Sequence, residues 1–220
     1  WQALGPLAFE DDPVPAPKVV NNEQLPTAPP DSLDGPPFVT CDAWVIGDGK
    51  TGELLWGEKP DEARDIASTT KIMTAYLVIK QAQADPKVLD ETVTFSERAD
   101  KTPGSTAGVR TGESLAVREL LYGLMLPSGN DASVALAEHF GARRAGGDES
   151  IDDPHDAFIA AMNHEADKLG MENTHYKNPH GLTASGHLAS PKDLLILANA
   201  ALKSELFRHY IETRQHGCTL

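Results

Sequence analysis

Cysteine is almost absent: the 220 residues hold only Cys41 and Cys218. One bridge at most can form, so the chain is not a disulfide scaffold. Aromatics make up only 6% of residues, and no apolar run approaches the ~18–20 residues that a bilayer-spanning helix needs. Cations are outnumbered, with 19 Lys plus Arg against 33 Asp plus Glu and a formal net charge of −14. This balance argues against a nucleic-acid partner, which is held by clustered cations, and against adsorption to anionic lipid. The rest is ordinary globular material, 40% hydrophobic and 24% charged. A chain of this length buries roughly 70% of its unfolded surface in one sizeable domain without staples.

Proline is concentrated rather than scarce. Nine of the 16 prolines lie in residues 1–37, where Val14-Pro15-Ala16-Pro17 and Ala28-Pro29-Pro30 follow neither a helical nor a strand period. Residues 1–37 read as a Pro-rich extended arm or linker, and 38–220 as the domain. Within the domain, Ala43–Ile46 and Glu53–Trp56 form a hairpin around a glycine-rich turn. An apolar helix runs from Ile66 to about Gln83 and should be central and buried. Val93–Phe95 is a short strand, and Ser114 reads as the N-cap of a following helix. Further helices span Asp131 to about Arg144, Pro154 to Leu169 (stopped by Gly170), and Pro191 to Lys203 behind Ser190.

Some familiar patterns fail on context. Gly47-Asp48-Gly49-Lys50-Thr51-Gly52 fits G-x-G-x-x-G, but a strand follows it. A dinucleotide site needs a helix there, to point its N–H groups at the pyrophosphate. The first glycine of a P-loop ending at Gly49-Lys50-Thr51 would fall on Trp44. His164-Glu165 opens like H-E-x-x-H, but Lys168 holds the second histidine position. His175, His180 and His187 are loop histidines and read as polar residues, so no metal is expected.

Ser68-Thr69-Thr70-Lys71 carries chemistry. Residues at i and i+3 share a helix face, so Ser68 and Lys71 can touch. A serine hydroxyl is a weak nucleophile until a neighbour takes its proton. A lysine whose pKa is lowered by burial can do so. Free N–H groups in a first helical turn can hold an oxyanion. The plain alternative is a capping serine beside an unrelated exposed lysine. Ser128 and Asn130 stand two residues apart in Leu126-Pro127-Ser128-Gly129-Asn130-Asp131. A second hydroxyl there can shuttle a proton, and an amide offers both donor and acceptor to a peptide bond. The plain alternative is a helix-to-helix turn with one of the two as N-cap.

Taken together, the two stretches resemble the first two signatures of the penicillin-recognising serine enzymes. Thr51–Leu55, Gly112–Leu115, Leu169–Thr174 and Asn178–Leu182 are similar to one branch, the low-molecular-mass penicillin-binding proteins of D-alanyl-D-alanine carboxypeptidase type. The resemblance covers roughly residues 38–210. It implies an α+β fold, the β-lactamase/penicillin-binding-protein-like transpeptidase fold of a helical cluster plus an antiparallel sheet. It implies Ser68 as nucleophile, Lys71 as general base, Ser128 as proton relay and Asn130 as substrate-binding amide, with no metal or cofactor. The implied partners are peptidoglycan stem peptides, with β-lactams as inhibitors and no nucleic acid. The implied location is the cell envelope of an exporting cell, with membrane anchoring left open. A disulfide between Cys41 and Cys218 suits such an oxidising compartment. An endopeptidase of the same branch, a β-lactamase of the same fold, and a binding or regulatory module without turnover remain as alternatives.

One signature is out of place. The family's third motif, K-T-G, comes well after the serine–asparagine turn, whereas Lys50-Thr51-Gly52 precedes Ser68. By analogy the third motif falls just beyond Leu220. The expectation is therefore the N-terminal portion of the catalytic domain, with its last strands beyond Leu220. Alone it should show little activity, since a lost oxyanion donor costs about 10²–10³ in rate.

Overall fold

The computed structural model describes residues 35–143 and 152–217. The arm expected over residues 1–37 lies almost wholly outside them, as does Cys218 of the suggested disulfide. Cys41 is exposed.

The hairpin forms as expected. Strands β1 (Trp44–Gly47) and β2 (Leu54–Glu58) pair antiparallel, with Trp44 opposite Glu58 and Ile46 opposite Trp56. The Asp48 carboxylate closes the turn by accepting from the Lys50 N–H at 2.8 Å and the Thr51 N–H at 2.7 Å. These are the side-chain-to-backbone bonds of an Asx turn. The glycine pattern therefore serves a turn, and no helix follows it.

A short 3₁₀ turn (Ala67–Thr69) leads into α1 (Thr70–Ala84). α1 buries Met73, Ala75, Val78, Ile79 and Ala82 and also the polar Thr70, Lys71 and Thr74. A helix apolar on most of its circumference has to sit inside. α1 packs against α3 (Val117–Met125), α4 (Asn130–Gly141), α5 (Pro154–Leu169), α6 (Pro191–Leu202) and α7 (Glu205–Glu212). α4 also packs on α5, and a glycine permits that contact. A Cβ on Gly141 of α4 would lie 1.7 Å from the Pro154 carbonyl oxygen at the start of α5.

Helix ends follow the chemistry of their caps. Asp153 accepts from the His155 N–H, Ser190 from the Asp193 N–H, and Gly170 closes α5 with φ of 77°. α7 was missed in the sequence, although its apolar residues Leu206, Phe207, Tyr210 and Ile211 recur at helical spacing. Ser204 caps it, and it buries Phe207 and Tyr210.

One boundary is corrected. Ser114 does not cap a helix. Ser114–Ala116 is a strand, β4, paired with β3 (Thr92–Thr94), and α3 begins at Val117. The Ser114 hydroxyl instead meets Thr94 Oγ1 across the strands at 2.9 Å. Between them Leu115 and Val93 turn inward. The described residues thus hold a helical cluster and two two-stranded antiparallel sheets, the expected α+β class. A short α2 (Glu97–Asp100) follows β3.

Candidate active site

Ser68 sits exposed in the 3₁₀ turn, and Lys71 lies one turn further on, only 3% exposed. The turn is tightly held. Ala67 has φ of 46°, and Gly181, with φ of 94°, crosses directly over it. A Cβ on Gly181 would fall 1.8 Å from the Ala67 carbonyl oxygen, so only glycine fits. Gly181→Ala is expected to displace the Ser68 turn, and any reaction at the Ser68 hydroxyl should slow about 10²-fold, as small misplacements of reacting groups do. Stopped-flow acylation by a chromogenic β-lactam checks this.

All three protons of the Lys71 ammonium are directed. Nζ donates to Ser68 Oγ at 3.2 Å, to Asn130 Oδ1 at 2.7 Å and to the His180 carbonyl oxygen at 2.8 Å. Burial pushes the Lys71 pKa down to about 8, while the nearby Asp131 carboxylate pulls the other way. Roughly a tenth of Lys71 is then neutral at pH 7. The neutral amine has a lone pair within reach of the Ser68 hydroxyl proton.

Asn130 opens α4 and is itself anchored. Its Nδ2 donates to the Pro103 carbonyl at 2.7 Å and its backbone N–H to the Ser105 carbonyl at 2.7 Å. Asp131 fastens the same 103–108 loop. It is 1% exposed and accepts from Thr106 Oγ1 (2.8 Å), the Ala107 N–H (2.8 Å), the Gly108 N–H (3.1 Å) and the Ala132 N–H (2.8 Å). Neither Ser128 nor Asn130 caps α4; the cap position is Gly129 and has no side-chain bond. Ser128 takes φ of 59° as the chain reverses. Its hydroxyl is not among the partners of Lys71. Ser68, Lys71 and Asn130 are brought together, whereas Ser128 stands outside their hydrogen-bond set.

The other wall of the cleft is the 174–188 segment, to which sequence reasoning gave no role. Asn178 folds it by accepting from the Gly181 N–H at 2.6 Å and donating to the Leu182 carbonyl at 2.8 Å. Thr74 of α1 donates to the Pro179 carbonyl at 2.7 Å. His187, 1% exposed, receives the Lys177 N–H on Nδ1 at 2.9 Å. Its proton is therefore assigned to Nε2, which donates to Thr70 Oγ1 at 2.8 Å. Both nitrogens are spent on pinning the segment to α1. No group of three or more His, Cys, Asp or Glu suited to a metal occurs among the described residues. Lys50-Thr51-Gly52 lies in the β1–β2 turn, and the residues lining the Ser68 cleft, among them Ser105, Asn130, His180 and Leu182, do not include it.

An exposed serine, a buried lysine lowered toward neutrality and an asparagine bonded to it meet at one cleft on an α+β helical scaffold. The chain belongs to the peptidase S11 family, D-alanyl-D-alanine carboxypeptidase, whose profile matches residues 31–220. It is 36% identical over 169 residues to D-alanyl-D-alanine carboxypeptidase DacF of Bacillus subtilis, covering 77% of this chain and 41% of that one. Among solved structures it resembles the D-alanyl-D-alanine carboxypeptidase DacD of Francisella tularensis, with 34% identity and a TM-score of 0.70, covering 79% of this chain and 40% of that one. It also resembles the S96A mutant of the Streptomyces K15 DD-transpeptidase, with 33% identity and a TM-score of 0.71, covering 81% of this chain and 67% of that one. The chain thus spans about two-fifths of the length of the Bacillus relative.

Proposed function

We propose that the protein is a serine-type D-Ala-D-Ala carboxypeptidase acting on peptidoglycan stem peptides in the cell envelope. The observation that carries this reading is the Lys71 ammonium, buried 3.2 Å from an exposed Ser68 hydroxyl. As the Lys71 amine takes the Ser68 proton, Oγ attacks the carbonyl carbon between the two terminal D-alanines. The C–N bond breaks, and the departing D-alanine amine collects a proton relayed from Lys71 through the Ser128 hydroxyl. Ser128 is not bonded to Lys71 in this structure, so the relay requires its hydroxyl to turn toward the amine. Water then attacks the ester on Ser68 and releases the shortened peptide. Asn130, already oriented by Pro103, presents its amide to the substrate backbone. A β-lactam acylates Ser68 by the same first step. The family membership and the names of the relatives support the substrate class.

The test is acylation and D-alanine release by the full-length protein on a peptide ending in D-Ala-D-Ala. Because the pKa of Lys71 is lowered to about 8, the base form grows as pH rises. The acylation rate should climb about tenfold per unit below that value and level off above it. A protein that forms no adduct on Ser68, or whose acylation rate is flat between pH 6 and 9, contradicts the reading.

A further inference from the structure

Two histidines of the 174–188 segment are held in the same way but finish differently. In His187 a backbone N–H, from Lys177, occupies Nδ1, and Nε2 is spent on buried Thr70. In His180 a backbone N–H, from Leu182, occupies Nδ1 at 3.1 Å. The His180 proton therefore also belongs on Nε2, but among the described residues nothing accepts it. The residue lines the cleft alongside Ser68, Ser105 and Asn130. Its own carbonyl accepts from Lys71 at 2.8 Å, so its backbone is fixed beside the base. The segment thus uses one histidine as an internal fastener and leaves the other with an unspent donor at the mouth of the site.

We propose that His180 is a substrate-contacting residue, a neutral donor whose Nε2–H binds a carbonyl or carboxylate oxygen of the peptide placed over Ser68. This deepens the carboxypeptidase reading and rests on it. Charge favours a neutral imidazole here. Burial, reinforced by the Lys71 ammonium and by His155 and His187, pushes the His180 pKa down to about 4. The ring therefore keeps its donor without placing a second cation beside Lys71 across the pH range in which Lys71 becomes a base. A neutral donor of this kind contributes about one hydrogen bond of binding, roughly a tenfold effect.

The experiment compares His180→Phe, which fills the ring's space without a donor, with His180→Gln, whose amide N–H reaches a similar position. Both are measured in the full-length protein. Phenylalanine should lower kcat/KM for a stem peptide about tenfold, with glutamine restoring most of it. The acylation midpoint near pH 8 should stay in place, because the backbone carbonyl that holds Lys71 is retained. A phenylalanine variant within twofold of the native protein, a glutamine variant as impaired as phenylalanine, or a moved midpoint overturns the proposal. Equilibrium binding of the peptide to Ser68→Ala protein, with and without His180→Phe, separates the two claims. If the native protein never forms the acyl-enzyme but binding still weakens with phenylalanine, the chemistry is wrong and the donor stands. If binding is unchanged, the donor is wrong.

Discussion

Replacing Lys71 by alanine is expected to slow acylation of Ser68 roughly 10²–10⁴-fold, the range a positioned general base supplies. The loss should have a signature beyond its size. On the proposed reading the native rate should follow deprotonation of Lys71, lowered to about 8 by burial, and rise with pH until that group is fully neutral. The alanine variant has no such group, so its residual rate should lose the inflection near pH 8. Truncation also strands the Asn130 and His180 oxygens that Lys71 serves. Some stability will therefore be lost as well, because buried acceptors without donors are costly. The pH profile distinguishes the two effects, since a merely loosened site would keep the inflection and move it. Ser68→Ala sets the floor, with no covalent adduct by intact mass. A Lys71→Ala protein that acylates at the native rate with the native inflection would remove Lys71 from the mechanism.

What the sequence revealed of this site, and what it hid, depends on distance along the chain. Ser68 and Lys71 are three residues apart, and helical geometry alone puts them together. The central burial of α1 was equally legible, because its residues are apolar nearly all round. Asn130 was singled out by its neighbours in a turn, but its bond to Lys71 spans 59 residues. The Thr70–His187 fastener spans 117. No local period encodes a contact of that kind. Ser114 was misread for a related reason. A serine before an apolar run looks like a cap, but the position was claimed by pairing with Thr94, twenty residues away. Asn178–Leu182 was recognised as similar to the family, whereas its mechanical roles became visible only in three dimensions. Gly181 yields to Ala67, and the carbonyl of His180 holds the Lys71 ammonium. The cleft is built by strained or buried backbone held from far away, and such residues have no pattern of their own.

Asp131→Ala is expected to be the most destabilising single change near the cleft. The buried carboxylate accepts from one hydroxyl and three backbone N–H groups, and it ties Thr106, Ala107 and Gly108 of the 103–108 loop to the start of α4. An unsatisfied buried donor costs about 1–3 kcal/mol. Thr106 and Gly108 are exposed and can turn to water, which leaves the Ala107 and Ala132 N–H groups to bear most of the loss. A destabilisation of about 3 kcal/mol follows, or a Tm lower by roughly 6–12 °C for a domain of this size. Thermal unfolding measures it, and a shift under about 2 °C would show that the loop is held some other way. Asp131→Asn asks a different question. Asp131 raises the Lys71 pKa against the effect of burial, so removing its charge should lower that pKa further. The rise of acylation with pH should then begin at a more acidic pH than in the native protein. Water entering a loosened cleft would do the opposite, carrying Lys71 back toward its ordinary value near 10.5. The direction of the shift therefore shows whether Asp131 acts on the base through its charge or only through the loop it holds.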